Sequence, residues 1–424
     1  MSILSWTTNE SLWKVEPLKK LFSFEKGKNA ALYTKEYLYD NPGEYPVYSG
    51  QTENNGVMGL IDSFDYDLSE CLFTTTVGAK VMTVAHLKGK FSLSQNCLIM
   101  ISKNNKFNIR FYYYQLMCLF NYEKALIPSH MQPSLRMEDL KKYKILSPSS
   151  IVQDTIVSYL DNKVNNIDNL IKNQMILINL LEQQRQSIIT EAVTKGLNSN
   201  VKMKGSGVEW IGDVPEHWEL SKLGYIGRLQ NGISKSSEEF GFGTPFISYG
   251  DVYKNEVLPK NASGLVNATA EDKKLYSVNY GDVFFTRTSE TIDEIGFAST
   301  CLETIPEATF AGFLIRFRPT TNRLNPRFAR FYFRSALGKR YFVKEMNLVT
   351  RASLSQGLLR NFTVLLPSLE EQEKIAVYLE QKTKAIEESI ILVKNQIKKL
   401  KEYRQVLIYE AVTGKIDVSD MELD

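Results

Sequence analysis

Apolar positions recur in alternating steps of three and four residues in two long stretches of the chain. The first stretch carries them at Leu160, Val164, Ile167, Ile171, Ile178, Leu181, Ile188 and Ala192, and the second at Leu379, Ile386, Ile390, Val393, Ile397, Leu400, Leu407 and Ala411. This spacing aligns an apolar stripe along an α-helix and favours coiled-coil pairing. The pattern therefore predicts two long helices that pack against each other through these residues, called the seam below.

The two stretches are copies of one sequence. Without a gap, and always 219 positions later, Pro148 recurs as Pro367, Gln153 as Gln372, Tyr159-Leu160 as Tyr378-Leu379 and Ser134-Leu135 as Ser353-Leu354. Each copy begins with Pro-Ser, in which the serine can cap the first helical turn, and ends in a run containing Thr and Gly, which is typical of a helix end. The chain therefore contains an internal pseudo-two-fold repeat.

The segments before the two helices share a frame of short apolar and β-branched runs broken by Gly, Asn and Ser. Such runs predict small β-rich domains with long polar loops. Trp13 matches Trp218, residues 46–50 match 245–250, and residues 67–74 match 280–286. Within these domains, helices are predicted near residues 107–120 and 326–343. The fold class is α+β, with a first β-rich domain at 1–147, a helix at 148–200, a second β-rich domain at 201–366 and a helix with a tail at 367–424.

Residues 205–220, GSGVEWIGDVPEHWEL, lie directly after the first predicted helix. Gly205 and Gly207 would release the chain from the helix, and Trp210 and Trp218 are interpreted as packing anchors. The stretch is therefore predicted to open the second domain.

Composition mainly excludes classes of protein. With 424 residues, 43% of them apolar, the chain is long enough for more than one domain with a core. No run approaches the roughly eighteen apolar residues that span a bilayer, and we find no secretion signal. The four cysteines are scattered without a CxxC pair, so we expect a cytoplasmic protein with no membrane partner. A net charge of +3 does not by itself indicate nucleic acid.

Motifs for catalysis are missing from the sequence. There is no GxxxxGK[ST] loop for nucleotide phosphates and no GxSxG elbow of hydrolases. The three histidines, His86, His130 and His217, stand far apart and lack ligand spacing. The Asn/Asp-Pro-Pro-Tyr tetrapeptide with which amino-methyltransferases hold a flipped base does not occur. We therefore expect no catalysis, no metal and no cofactor in this chain.

Two different domains on two matching helices suit a target made of two different halves. Loops rich in amide, hydroxyl and basic side chains can bind the base edges and phosphates of DNA. In the first domain, DNA binding is predicted for Ser49, Gln51, Thr52, Asn54, Asn55, Thr75, Lys80, Gln95, Asn96, Lys103 and Lys106. In the second domain, it is predicted for Lys235, Ser236, Tyr249, Arg287, Thr288, Ser289, Arg351 and Gln356. Any one of them is better explained as a solvated loop residue, so the prediction is made for the sets.

Side chains in and beside the seam indicate a partner surface. Arg185 and Arg404 occupy the same seam position in the two copies. Each either extends out of the bundle into water or serves as a register mark or partner contact. Ile176, Leu177, Leu180 and Ile189 lie beside the seam, and spare apolar surface is typical of partner sites. We predict that Leu177, Leu180, Arg185 and Arg404 contact a partner protein.

The motifs VEWIGDVPEHW at 208–218, LPSLEEQEKIAVYLEQK at 366–382 and the helix ends EAVTKG and EAVTGK resemble the specificity subunit of type I restriction-modification systems. The resemblance covers nearly the whole chain, in the family's order. It implies that two target-recognition domains each bind one half of a bipartite double-stranded DNA site, and that the helices pack antiparallel and set the gap. It also implies docking of two DNA adenine methyltransferase subunits that use S-adenosylmethionine, and of restriction subunits that use ATP and Mg for translocation and cleavage.

Two other classes of protein stay open. An enzyme whose site the sequence does not reveal would transfer methyl groups or cleave DNA without a partner. A coiled-coil scaffold would return no enriched sequence when offered random DNA. The bases recognised, the length of the gap and the choice between restriction and methylation alone do not follow from the sequence.

Overall fold

Both long helices are divided between two compact units. The computed structural model describes residues 13–50, 53–78, 80–104, 106–128, 130–287, 295–346 and 353–418. One unit comprises residues 1–175 and 394–424, and the other comprises residues 176–393. These boundaries lie inside the helices, whereas the sequence-derived domain boundaries lie at the helix ends. Each unit is therefore a β-rich domain combined with a segment of each helix.

The first unit begins with a strand that pairs with the last strand before the first long helix. Its elements are β1 (Lys14–Pro17), α1 (Leu18–Leu21), β2 (Phe22–Lys26), α2 (Lys35–Asp40), β3 (Pro42–Tyr48), β4 (Val57–Ile61), β5 (Tyr66–Thr75), β6 (Val84–Leu93), β7 (Cys97–Ser102), α3 (Ile109–Ala125), α4 (Met137–Lys142) and β8 (Lys144–Ser147). The long helix α5 (Ser150–Lys195) follows directly.

The second unit repeats this order after a small hairpin. Its elements are β9 (Met203–Gly205), β10 (Asp213–Pro215), β11 (Glu219–Lys222), α6 (Leu223–Ile226), β12 (Gly227–Asn231), β13 (Phe240–Ile247), α7 (Tyr249–Lys254), β14 (Gly264–Val266), α8 (Ala270–Leu275), β15 (Val283–Thr286), β16 (Ala298–Thr300), β17 (Thr309–Phe310), β18 (Leu314–Pro319), α9 (Pro326–Arg334), α10 (Ala336–Met346), α11 (Gln356–Asn361) and β19 (Thr363–Leu366). The second long helix, α12 (Leu369–Thr413), completes the series.

The sheets of the two units differ in number but share one feature, a parallel pair of strands. The first unit has a six-stranded sheet in the order β2-β7-β5-β6-β3-β4, and the second has the sheets β12-β18-β15-β16 and β14-β13-β17. In each unit one pair of strands is parallel, with Val47 opposite Ser92 in the first and Phe246 opposite Thr309 in the second. This shared pairing confirms the predicted match of residues 46–50 with 245–250.

The predicted match of residues 67–74 with 280–286 is wrong by one position. Thr75 lies opposite Cys97, the first residue of β7, and Thr286 lies opposite Leu314, the first residue of β18. Thr75, and not Thr74, therefore corresponds to Thr286. The two segments differ in length, and only the pairing with the next strand fixes their register.

The seam residues of both long helices are buried or half-buried. In the first unit Leu160 and Val164 of α5 share a core with Leu407 and Ala411 of α12. In the second unit, Ala192, near the other end of α5, joins a core with residues near the start of α12. Each unit thus combines the beginning of one helix with the end of the other, which is the pattern of an antiparallel pair. The predicted α+β fold with two β-rich domains and two repeated antiparallel helices is confirmed.

A buried glutamine holds each long helix to its β-rich domain. Gln153 is almost fully buried; its side-chain oxygen accepts the N–H of Asn108 at 2.9 Å, and its amide donates to the Pro148 carbonyl at 2.9 Å. In the second unit, Gln372 accepts the N–H of Asn325 at 2.7 Å and donates to the carbonyl of the proline before its helix at 2.9 Å. Asn108 caps the start of α3, and Asn325 caps the start of α9. Each glutamine therefore joins the start of a long helix to the start of a helix in its β-rich domain.

A tryptophan at the start of each β-rich domain lies over the glycine that ends a long helix. A Cβ atom added to Gly196 would lie 3.3 Å from the Trp218 ring, and one added to Gly414 would lie 3.0 Å from the Trp13 ring. Both glycines have positive φ angles, 77° and 73°, which other residues adopt only at a cost. Glycine is thus needed at both helix ends, and the interpretation of Trp218 as a packing anchor agrees with its burial.

The helix predicted near residues 326–343 consists of two helices, α9 and α10. Ser335 between them is extended, with φ −68° and ψ 168°. Its hydroxyl donates to the Tyr332 carbonyl at 2.6 Å and receives the N–H of Leu337 at 3.4 Å. The serine ends one helix and caps the next, a local choice that apolar spacing does not reveal.

Replacing Gln372 with alanine tests the buried glutamine. The change deprives the N–H of Asn325 and two carbonyls, those of Arg323 and Pro367, of their side-chain partner. Because unpaired polar groups at buried sites cost about 1–3 kcal/mol each, we expect the free energy of unfolding to fall by roughly 2–4 kcal/mol in urea denaturation. Gln184→Ala, at an exposed position of α5, should change it by less than about 0.5 kcal/mol. Equal losses in the two variants would contradict the assignment.

Candidate nucleic-acid interface

Three loops of the first unit meet where β3 and β5 end and β7 begins. Their described residues are 49–50, 53–56, 76–78, 80–83 and 94–96, and they are called the first loop edge. The N–H of Ser94 donates to Tyr48 at 2.9 Å, and the N–H of Thr76 donates to the Asn96 carbonyl at 2.8 Å. Thr76 in turn accepts the N–H of Leu135 at 2.8 Å. These backbone bonds hold the loops together as one surface.

Five of the predicted DNA-binding residues are exposed on the first loop edge. They are Asn54, Asn55, Lys80, Gln95 and Asn96. The three asparagines adopt left-handed backbone conformations, with φ angles of 50°, 54° and 62°. Asparagine tolerates this region better than most residues, and its amide can bind adenine in the major groove. The structure therefore brings these five side chains to one edge, and their contact with DNA stays a prediction.

Two predicted residues of this edge are buried instead of displayed. Thr75 is 2% exposed; its hydroxyl donates to the Lys80 carbonyl and accepts the N–H of Thr83 at 3.1 Å. Ser49 is also buried, and its N–H donates to the Gly56 carbonyl at 2.9 Å. Both therefore support loops from within, a role that residue type alone does not distinguish from contact with a ligand. Gln51 and Thr52 lie outside the described residues.

Lys103 and Lys106 do not join the first loop edge. They follow the far end of β7, and Lys103 donates to the carbonyls of Leu21 and Lys19 at 2.9 and 2.7 Å. The six residues of β7 extend about 20 Å, which separates these lysines from Asn96 at its other end. These two lysines therefore lie away from the other predicted residues of the first domain, and their contact with DNA stays a prediction.

The second unit has a corresponding surface, the second loop edge, formed by residues 232–236, 248–250, 287, 311–313 and 353–356. The N–H of Arg287 donates to the Phe313 carbonyl at 3.0 Å, and Arg287 accepts the N–H of Leu354 at 2.7 Å. These two bonds repeat those of Thr76 on the first loop edge. Leu135 and Leu354, the second residues of the repeated Ser-Leu pair, therefore donate equivalent backbone hydrogen bonds in the two units.

Three of the five predicted residues that the structure describes on the second loop edge have side-chain partners within the chain. Lys235 pairs with Asp272 at 2.9 Å, which raises the pKa of the lysine. Gln356 donates to the Asn231 side chain at 2.9 Å. The Tyr249 ring stacks on that of Tyr253 with centroids 6.0 Å apart, whereas Ser236 is exposed. The backbone of Arg287 lies on this edge, and Thr288, Ser289 and Arg351 lie outside the described residues.

Sequence reasoning missed Phe313, which is 64% exposed in the turn before β18. Its backbone occupies the place that Asn96 takes on the first loop edge. The run AGFLIRF resembles a buried strand in sequence, and Leu314 and Ile315 of that run are indeed fully buried. The signal that could have found it is the count of residues from Asn108 and Asn325, which places Asn96 and Phe313 at the same distance from their helix caps.

The apolar surface beside the seam is present on α5. Ile176, Leu177 and Leu180 are 49%, 41% and 54% exposed. Ile189 is 1% exposed and packs in the core of the second unit, so its assignment to this surface was wrong. Ile189 lies near the end of α5, where the helix packs against the second β-rich domain and not against solvent.

The two seam arginines form ion pairs within their own units. Arg185 binds Glu256, which also lies 3.6 Å from Arg330. Arg404 lies 3.0 Å from Asp168 of α5. Arg185 thus contacts the β-rich domain of the second unit, whereas Arg404 contacts α5 in the first unit. The predicted contact of these arginines with a partner protein stays a prediction.

The described residues offer little for metal or thiol chemistry. No group of three or more His, Cys, Asp or Glu side chains among them is placed to hold a metal ion. Burial raises the pKa of Cys71 to about 12 and that of Cys97 to about 11, so both stay protonated at neutral pH. His86 lies 2.9 Å from Glu70, and burial lowers its pKa. In the described part of the chain, no helix is long and apolar enough to cross a membrane.

The two β-rich domains thus share one loop framework and display different side chains on it, and each domain is combined with a segment of both long helices. The family of the type I restriction modification DNA specificity domain matches residues 10–180 and 215–399. The chain belongs to this family.

The relatives reported below match parts of the chain, and the solved structure reported with them matches nearly all of it. The MpnII type I restriction enzyme specificity subunit of Mycoplasma pneumoniae is 33% identical over 129 residues, 30% of this chain and 37% of the relative. A second protein of that organism, provisionally named a type I specificity subunit, is 34% identical over 131 residues, 30% of this chain and 40% of the relative. The chain thus spans about two fifths of these relatives. A structure from work on assembly and conformational transition of a type I R-M system is similar with a TM-score of 0.70 at 15% identity, over 95% of this chain and 98% of that one, which supports the fold.

Proposed function

We propose that this chain is the DNA specificity subunit of a type I restriction-modification complex. Each β-rich domain would bind one half of a bipartite double-stranded site through its loop edge. The observation that carries this proposal is the repeated backbone framework of the two edges, which displays Asn96 in one and Phe313 in the other. A shared framework with different side chains is what recognition of two different half-sites requires.

The helices would serve two purposes in such a complex. Because α5 and α12 each contribute to both units, they would set the gap between the half-sites. The exposed Leu177 and Leu180 would dock two DNA adenine methyltransferase subunits, which bind S-adenosylmethionine. Restriction subunits that use ATP and Mg would join this core. The chain itself would bind no cofactor and catalyse no reaction, and it would act in the cytoplasm.

Selection from random duplex DNA tests the proposed function. The complex of the full chain with its methyltransferase should enrich a motif of two short half-sites separated by unread bases. Methyl transfer from S-adenosylmethionine should require both proteins. If the chain is only a scaffold, no sequence will be enriched. Methyl transfer by the purified chain alone would show that it is an enzyme and would overturn the proposal.

A further inference from the structure

The turns before β7 and β18 have the same backbone bonds but opposite side-chain chemistry. Asn96 in the first turn carries an amide that both donates and accepts hydrogen bonds. Phe313 in the second can do neither, although it occupies the equivalent place. A ligand that covers both turns would therefore meet a polar group at one and an apolar surface at the other.

The second turn is fixed in place. The N–H of Ala311 donates to the Ile247 carbonyl at 3.0 Å, and the N–H of Leu314 donates to the Ala311 carbonyl at 2.9 Å. A Cβ atom on Gly312 would lie 2.6 Å from the Ser234 hydroxyl and 3.1 Å from the Ile233 carbonyl oxygen, so the turn packs closely against this segment. The exposure of Phe313 is therefore set by a well-anchored backbone.

The residues around Phe313 place it among groups suited to DNA. Phe310 and Leu314 of the same run are fully buried, so the chain keeps its other apolar side chains inside. On the same edge lie the ion pair of Lys235 with Asp272 and the amide of Gln356. An apolar ring among polar loops stays in contact with water until a ligand covers it.

We propose that Phe313 contacts the 5-methyl group of one thymine in the half-site bound by the second domain. This inference rests on the proposed function, since it takes duplex DNA as the ligand. The thymine methyl group is the apolar group that a base pair presents in the major groove, and a phenylalanine ring can cover it. Phe313 would thus favour thymine at one position without a hydrogen bond, whereas Asn96 would read a base edge through its amide.

The test removes the methyl group from the DNA and the ring from the protein. In the duplex selected by the complex, each thymine of the second half-site is replaced singly by deoxyuridine, which keeps base pairing. At one position the affinity of the wild-type complex should fall about fourfold, as expected for one buried methyl group. F313A should bind the thymine duplex more weakly and show no further loss with deoxyuridine. F313L should keep part of the sensitivity, and N96A should leave it unchanged.

The outcomes separate this inference from the proposed function. Failure to select any bipartite duplex would remove the proposed function. Tight binding of the selected duplex without a deoxyuridine effect, or an effect that persists in F313A, would overturn the inference alone. A half-site without thymine would overturn it too. If Phe313 instead wedges between bases, deoxyuridine would have no effect and 2-aminopurine beside the site would brighten on binding.

Discussion

Exchange of the first β-rich domain should replace one half of the DNA site and leave the other half unchanged. In this experiment residues 1–147 are replaced by the corresponding segment of another family member. The first loop edge lies entirely within the replaced segment, and the second loop edge lies entirely outside it. We therefore expect the replaced half-site to lose its original sequence completely, as measured by sequencing methylated adenines in cells that carry the hybrid.

The structure indicates which residues the hybrid must keep. Gln115 donates to the carbonyls of Leu146 and of Val412, at 3.2 Å each, so it joins the domain to the end of α12. Asn108 bonds to Gln153 of α5. A hybrid that retains Gln115 and Asn108 should fold, and a matched hybrid that lacks both should lose methylation altogether. A change in both half-sites would contradict independent recognition by two domains.

Charged residues at Leu177 and Leu180 should abolish assembly with the methyltransferase. If a partner covers both leucines, each contributes about 1.5–3 kcal/mol through burial. Replacing both with lysine should therefore weaken binding at least about 100-fold, and the desolvation of two charges would add to the loss. Co-purification and titration of the two proteins measure the effect. The variant alone should be more soluble, because the exposed apolar surface is smaller.

The matched control is Leu265→Lys, since Leu265 is 42% exposed and Leu177 is 41% exposed. Leu265 lies in β14, away from the helices, so its replacement should leave assembly intact. Asn179→Lys adds a positive charge to α5 between the two leucines. If that variant assembles normally while the double lysine variant does not, loss of apolar contact, and not charge, is the cause. Normal assembly of the double variant would place the partner elsewhere.

The long helices could be predicted from sequence because their determinants are local. Apolar spacing identified the seam, and Pro-Ser marked each helix start to within two residues of Ser150 and Leu369. The gap-free repeat showed that both helices carry the same seam, which predicted that they pack against each other. The role of Gln153 could not be seen, because its partner Asn108 lies 45 residues away and only the fold brings the two together.

The loop edges were predicted less well, since residue type does not reveal where a loop residue points. Asn54 and Gln95 are displayed, but Thr75, which has an equally suitable side chain, supports a loop from inside. Lys103 is displayed at the opposite end of β7 from Asn96, and Phe313 was missed because the run that contains it resembles a buried strand. Burial, strand direction and turn geometry decide these cases, and all three depend on contacts between distant parts of the chain.

The division of α12 between the two units also determines the order in which they can form during synthesis. The second unit is continuous in sequence, from residue 176 to residue 393, so it can close before the ribosome has added the last segment. The first unit needs Leu407, Ile408, Ala411 and Val412 for its core, although its sheet is made first. The N-terminal recognition domain is therefore completed last, whereas domains commonly fold in the order of synthesis. A stop codon after Val393 would consequently remove core residues from the N-terminal domain and leave the unit encoded later intact.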